Sequence, residues 1–234
     1  MRGIKKYNFK EKTFRFFGKF IQLLTNKKYT LRVNKQNFKN YEFINECDFI
    51  IDVGVAYGTD WIENFGHDKY IIYIEANPIF YDLIENKLVK VNKRKRKLIR
   101  CGAGSSSSKA FLNNSEYVSS FFERSSTNIT DSKVETKIET IDRIFEQIDL
   151  NFNGLGLLKI DTEGYELEVL KGSLITFKYL KYIIVELRVA DINSYKPDLL
   201  IKFLNDQGYF WEEVLDYGDS LGYLTYIDIL FKKS

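Results

Sequence analysis

Two hydrophobic periods divide the chain. From residue 47 onward, short continuous apolar runs alternate with stretches in which apolar positions recur every three or four residues. The runs in "CDFIIDVG", "KYIIYIEA", "KLIRCGAG", "GLGLLKIDTE" and "KYIIVELR" read as buried strands, and "TYIDILFK" as a last one. Between them the spacing predicts helices over 58–66, over 79–90 after Pro78, over 140–148, over 164–172 and over 197–207. Gly66, Gly172 and Gly208 stand at the ends of three of these. The stretch 104–136 is polar and Ser-rich, with weaker strand signals at "KAFLN" and "VETKIE". Strand–helix alternation with Ile/Val/Leu strands predicts an α/β fold, a parallel sheet covered by helices on both faces. No internal repeat interrupts it.

Residues 1–40 follow a different rule. Phe14, Phe17, Phe20, Ile21 and Leu24 recur at helical spacing with Lys12, Arg15 and Lys19 between them, the pattern of a basic amphipathic helix. Charge separates this segment further. It holds twelve Lys/Arg and one acid, a net of +11, so the +3 of the whole chain leaves 3 − 11 = −8 for the rest. We therefore expect a basic N-terminal extension over 1–40 and one domain over 41–234. The extension reads first as a helix packed on the domain as a lid or dimer contact. Its second reading is peripheral contact with an anionic membrane surface.

Composition adds little. Hydrophobic residues make up 44% of the chain, which is globular. Cys47 and Cys101, the only cysteines, read as reduced core residues of a cytoplasmic protein. No apolar run reaches the ~18 residues that span a membrane, and no secretory signal is expected.

The chemistry collects at strand ends. In doubly wound sheets ligands bind outside the carboxyl ends of the strands, at the switch point. The first strand ends in Asp52-Val53-Gly54, with Gly58 following. The spacing D-x-G-x-x-x-G is neither the dinucleotide fingerprint nor a phosphate loop. A looser turn behind an acid suits a ligand with a cationic amino-acid tail and no phosphates, and S-adenosylmethionine is one. Glu75 ends the second strand, where an acid accepts both ribose hydroxyls. Asp161 and Glu163 stand at the mouth of the fourth strand. There they suit a general base or a cation-stabilising acid, or else they cap the following helix. Glu186 ends the next strand on the same edge, and a salt bridge with Arg188 is its alternative use. Three acids at one edge also offer oxygen donors to a divalent metal; their use against a positive ligand is the preferred reading. His67, the only histidine, falls at the opposite edge and is not expected to act as the base.

The succession "IIDVGVAYGTD", "YIEANP", "VSS", "ETIDRIF" and "LLKIDTEGYELEVLKG" resembles the FkbM family of S-adenosylmethionine-dependent methyltransferases, over roughly residues 45–232, with K-I-D-x-E-G-x-E as its signature. The resemblance implies the class I methyltransferase, Rossmann-like sheet of seven strands with the last antiparallel. It implies that Asp52, Gly54, Ala56, Tyr57 and Gly58 form the cofactor turn. Glu75 would hold the ribose, with Ala76 and Asn77 on the adenine side. Gly102 and Ala103, after Cys101, would pass along the adenine ring. Ser119 and Ser120 would approach the cofactor from the long insertion, and Asp161 would face the sulfonium and the acceptor. Catalytic work falls to Asp161, Glu163 and Glu186. Where the family reads D-x-G-A-N-x-G, this chain has Val55 and Ala56, so one Asn side chain is missing from the turn.

Many members methylate hydroxyls of sugars or polyketide-type products. The expected activity is therefore O-methyl transfer from S-adenosylmethionine to a hydroxyl of a sugar, nucleotide sugar or surface glycan. Methyl transfer to a small non-sugar metabolite is the alternative, and a non-catalytic partner with this fold is another. Nucleic acid is not an expected partner. The Asn/Asp-Pro-Pro-aromatic sequence of DNA amino-methyltransferases is replaced here by Asp161-Thr162-Glu163-Gly164. The run "KRKRK" at 93–97 precedes the third strand, away from the ligand edge, and reads as solvated charge.

Overall fold

All five residues of β1 (Phe49–Val53) are buried, as a run of Ile and Val demands when helices cover both faces of a sheet. The computed structural model of the chain describes residues 41–89, 95–114, 121, 132–148, 154–189, 196–220 and 223–234. The basic helix expected in 1–40 and the Ser119–Ser120 loop lie outside them.

After β1 come α1 (Asp60–Phe65), β2 (Tyr70–Glu75), α2 (Tyr81–Val89), β3 (Arg96–Arg100), β4 (Gly102–Ala103), β5 (Ser108–Asn114) and β6 (Ser132–Glu139). There follow α3 (Ile141–Glu146), β7 (Gly156–Ile160), α4 (Glu166–Lys171), β8 (Leu180–Arg188), α5 (Pro197–Asp206), β9 (Tyr209–Ser220) and β10 (Tyr223–Lys233). The main sheet has seven strands in the order β3-β2-β1-β7-β8-β10-β9. Its neighbours pair in parallel except for β10, which runs antiparallel to both β8 and β9. This is the class I methyltransferase sheet that the resemblance implied. The strand order reverses between β1 and β7, so the switch point lies where Val53 and Ile160 end adjacent strands.

The two faces of the sheet carry separate cores. Phe49, Ile51, Val53, Ile72, Leu158 and Ile183 pack on one side. Ile50, Ile71, Tyr73, Leu157, Tyr182 and Leu230 pack on the other. Strand alternation therefore puts Asp52 on the Ile50 face. α5 follows the same economy, burying Leu200, Ile201 and Leu204 while Lys202 pairs with Asp206 in solvent. The quoted "ETIDRIF" has a structural task. The Thr140 hydroxyl accepts from Arg143 N at the start of α3, and Asp142 accepts from the Ile175 and Thr176 amides. No helix of the described residues is long and apolar enough to cross a membrane.

Three expectations need correction. The single strand expected at "KLIRCGAG" is two: β3 belongs to the main sheet, and β4 pairs with β6 in a second, three-stranded sheet of order β4-β6-β5. β9 was not expected at all. Tyr209 and Trp211 alternate into the core, but Glu212 and Glu213 are then both exposed, and register shifts along β9–β10 break the period of two. Finally, Arg96 is not solvated. It is buried, and its guanidinium donates to the carbonyls of Gly66, His67 and Lys69, closing the turn after α1.

Candidate functional site

The turn after β1 is shaped by contact with the turn after β7. Gly54 has φ +79°, and a Cβ there would lie 1.7 Å from the Asp161 carbonyl oxygen, so only glycine fits. Asp161 N donates to Val53 O and Gly54 N to Ile74 O, both at 3.0 Å, which ties the three strand ends together. Ala56 also takes a left-handed conformation, φ +46°. That bend aims its N–H at Glu75, which accepts from Ala56 N at 2.8 Å and from Asn77 N at 2.7 Å on its two oxygens. Burial pushes the Glu75 carboxyl up, and these amide bonds work against it. The Val55 and Ala76 amides also act on it, so the carboxylate sits within a ring of backbone N–H donors.

Asp52 stands beneath the turn. It is fully buried; Thr59 Oγ1 donates to it at 2.9 Å and Lys159 Nζ lies 3.4 Å away. Burial pushes its carboxyl up while Lys159 and Thr59 oppose the shift.

Lys159 is the centre of this arrangement. It stands two residues before Asp161, a spacing that gives both one face of β7. Its ammonium lies 3.2 Å from Asp161 Oδ2 and donates to Gly54 O at 3.5 Å. Burial opposes its charge, but Asp161, Asp52 and Asp228 outweigh burial and hold it above the usual lysine range. The loop beyond Asp161 is held from inside by Glu166, which is fully buried. Glu166 Oε1 accepts from Thr162 N at 3.0 Å, Thr162 Oγ1 at 3.2 Å and Gly164 N at 2.9 Å.

Three acids meet at this mouth. Oxygens of Asp161, Glu163 and Glu186 all lie within 4.8 Å of one another. Burial, then Asp161, Asp228 and Glu166, push the Glu186 carboxyl up to about 9. Glu163, in a left-handed conformation at φ +56°, is bridged by Arg188, which also lies 3.7 Å from Glu186. The oxygen donors suit a hard divalent cation, yet Lys159 already faces Asp161 and Arg188 faces the other two. Part of the cluster's charge is thus met from within the chain, with Lys159 shared between Asp161 and Asp52.

A cavity opens between the two turns. Gly54, Ala56, Glu75 and Ala76 line it from the turns after β1 and β2, and Asp161, Thr162 and Glu163 from the turn after β7. Its apolar end is lined by Cys101, Gly102, Ala103, Leu112 and Phe121. The Phe121 ring lies where a Cβ on Gly102 would sit, 2.7 Å from it, and packs on Tyr165 at 5.1 Å. Burial pushes the Cys101 thiol up to about 11, so it stays neutral.

Sequence reasoning thus gathered most of one site. Gly54, Ala56, Glu75, Ala76, Gly102, Ala103, Asp161 and Glu163 line the cavity. Four other residues expected at the cofactor stand apart from its lining. Asp52 braces the turn from below, and Asn77 is buried with its side-chain oxygen accepting from Ile79 N at 3.1 Å. Tyr57 is 54% exposed, and its carbonyl accepts from Lys87, which also packs on Gly58. Glu186 is one strand further on, and its expected contact with Arg188 is present. His67 lies before β2, at the far edge. Sequence reasoning missed Lys159, Glu166 and Asp228. The signal for Lys159 was a lone lysine inside an apolar strand, a position that needs a buried acid.

A family model described as "Methyltransferase FkbM domain" matches residues 52–211, more than half of the chain. Among solved structures, the chain is similar to a precorrin-6y C5,15-methyltransferase from Geobacter metallireducens GS-15, with 15% identity, 87% of this chain and 94% of that one covered, and a TM-score of 0.44. It is similar to the Methanococcus jannaschii fibrillarin pre-rRNA processing protein, with 12% identity, 87% and 70% covered, and a TM-score of 0.46. A third is magnesium protoporphyrin IX methyltransferase from Synechocystis PCC 6803 with bound S-adenosylmethionine, with 8% identity, 99% and 100% covered, and a TM-score of 0.46. No curated protein matches the sequence.

Proposed function

The chain belongs to the FkbM methyltransferase family, and from that premise we propose that it transfers a methyl group from S-adenosylmethionine to a hydroxyl of a sugar, nucleotide sugar or surface glycan. One observation carries the reading. Glu75, held rigid by backbone amides, and Asp161, held by Lys159, line one cavity. The first offers two oxygens to a ribose, the second a carboxylate to a positive centre. The apolar end at Cys101–Ala103 and Phe121 suits a flat aromatic base.

When bound, S-adenosylmethionine supplies an electrophilic methyl group on a positively charged sulfur. The chain's work is then alignment and proton removal. Gly54 and Ala56 shape the turn that sets the depth of the ligand. Asp161 fixes the orientation of the reacting end. Glu186 takes the acceptor's proton. The acidic mouth supports an acceptor whose reacting end is uncharged, such as a sugar ring, over one that brings phosphates against Asp161 and Glu163, which would repel them.

Labelled methyl transfer to a panel of nucleotide sugars, free glycosides, small non-sugar hydroxyl compounds and tRNA tests the reading. Label in a sugar that is lost in Asp161→Asn is the expected result. Label confined to tRNA or to a non-sugar compound would replace the acceptor class.

A further inference from the structure

Three acids stand in register across the carboxyl half of the sheet. Glu186 on β8 and Asp228 on β10 are direct cross-strand partners, and Asp228 faces Asp216 on β9 in the same way. Directly opposed residues share a face of the sheet, with Cβ atoms ~4.5–5.5 Å apart, and like charges there are destabilising. A fold does not need such a row. Its inner end meets the reacting mouth, because Glu186 lies within 4.8 Å of Asp161 and Glu163, which line the cavity.

We propose that Asp228 is a positioning residue for the reaction. In register with Glu186, it keeps a proton on that carboxyl pair until a positive centre reaches the mouth, so that the cofactor's own charge frees Glu186 to act as the base.

The surroundings fit this use. Around Glu186 stand Asp161 and Glu163 from the loop after β7, Lys159 from β7 and Glu166 from α4. Asp228 and Tyr226 of β10 face it, Asp216 of β9 lies beyond Asp228, and Arg188 is on its own strand. Lys159 lies on Asp52 and Asp161 and also acts on Asp228 and Glu186, Tyr41 faces Asp228 and Asp216, and Arg188 bridges Glu163 while lying 3.7 Å from Glu186. Burial first, then Asp161, Asp228 and Glu166, push the Glu186 carboxyl up to about 9, so it is neutral near pH 7. Two coupled carboxyls give up their protons in two separated steps, and a nearby cation draws the held proton off.

The bookkeeping closes over one turnover. Binding of the sulfonium sends one proton from the pair to solvent. The acceptor oxygen then bonds to the methyl carbon while the carbon–sulfur bond breaks, its electron pair returning to sulfur. The hydroxyl proton passes to Glu186, and the neutral thioether remains beside a reprotonated pair.

This inference rests on the proposed use of S-adenosylmethionine. Its test needs no acceptor. The full chain is titrated calorimetrically at pH 8 with S-adenosylmethionine and with S-adenosylhomocysteine, in two buffers of different ionisation enthalpy. The wild type should release about half a proton more with the sulfonium than with the thioether. The excess should vanish in Glu186→Gln and fall measurably in Asp228→Asn or Asp228→Ser. The ligands' own amino groups titrate in every variant, so they cancel in the comparison with Glu186→Gln. Equal proton counts for the two ligands, or an excess that survives Glu186→Gln, overturn the proton store. An undiminished excess in both Asp228 variants overturns the role of Asp228. If the wild type binds neither ligand, the proposed function itself fails, a separate result.

Discussion

Ala56 is the residue whose replacement should make this protein more stable. It sits at φ +46°, in the turn after β1, where the family pattern has Asn. For an L-residue with a Cβ the left-handed region costs roughly 1–2 kcal/mol, and Asn is among the few residues that visit it routinely. Ala56 is partly exposed and lines the cavity, so a longer side chain has room to extend. The N–H bond to Glu75 depends only on the backbone and survives the change. Ala56→Asn should therefore stabilise by about 0.5–1 kcal/mol, which at this chain length raises the melting temperature by ~1–4 °C. Ala56→Gly relieves the same strain but loses about 0.4–1 kcal/mol to the freedom of the unfolded chain, so its net gain is smaller. Ala56→Val, branched at Cβ, should destabilise. Thermal melts of the four proteins give the order Asn, Gly, Ala, Val. A melting temperature for Ala56→Asn below that of the wild type would refute the argument from strain.

Other substitutions test the rest of the frame. Gly54→Ala places a methyl 1.7 Å from a backbone oxygen in a left-handed conformation, and should cost more than ~4 kcal/mol; a melt within a few degrees of wild type would contradict the close approach of the two turns. Lys159→Met leaves Asp52 buried without its cation and should cost about 3–5 kcal/mol. Adding Asp52→Asn should restore part of that loss, so additive melts would refute the coupling. The raised Glu186 carboxyl has a pH signature. From the ordinary glutamate range up to about 9 the folded chain keeps a proton that the unfolded chain gives up, so stability falls as pH rises through that window. Glu186→Gln should thus gain on the wild type between pH 6 and pH 9, and melting curves that stay parallel over that range would contradict it.

The parts of the fold that sequence exposed are those where one physical demand acts alone. β1, β2, β7 and β8 are largely buried on both faces, so each shows as a mainly apolar run, and the acid at the end of each lies at one edge of the sheet. Glycine at 54 was legible because backbone contact allows nothing larger. β9 was hidden because an edge strand with two adjacent exposed glutamates and shifted register carries no clean alternation. Lys159 and Glu166 escaped for another reason. Charged residues next to apolar ones usually face solvent; the lysine inside an apolar strand hints otherwise, but the folded contacts are what show that these two hold Asp161 and its loop. Asp228 became visible once the β8–β10 register placed it opposite Glu186.

The central claim is that the cavity between the two turns is a cofactor site read by Glu75. Calorimetric titration of S-adenosylmethionine into the full chain, beside Glu75→Gln and Glu75→Ala, tests it most directly. The account predicts binding by the wild type, weakened at least tenfold in Glu75→Gln as a charge-assisted bond worth about 1.5–3 kcal/mol is lost, and weakened further in Glu75→Ala. Binding that is unchanged in both variants, or absent from the wild type, would contradict it.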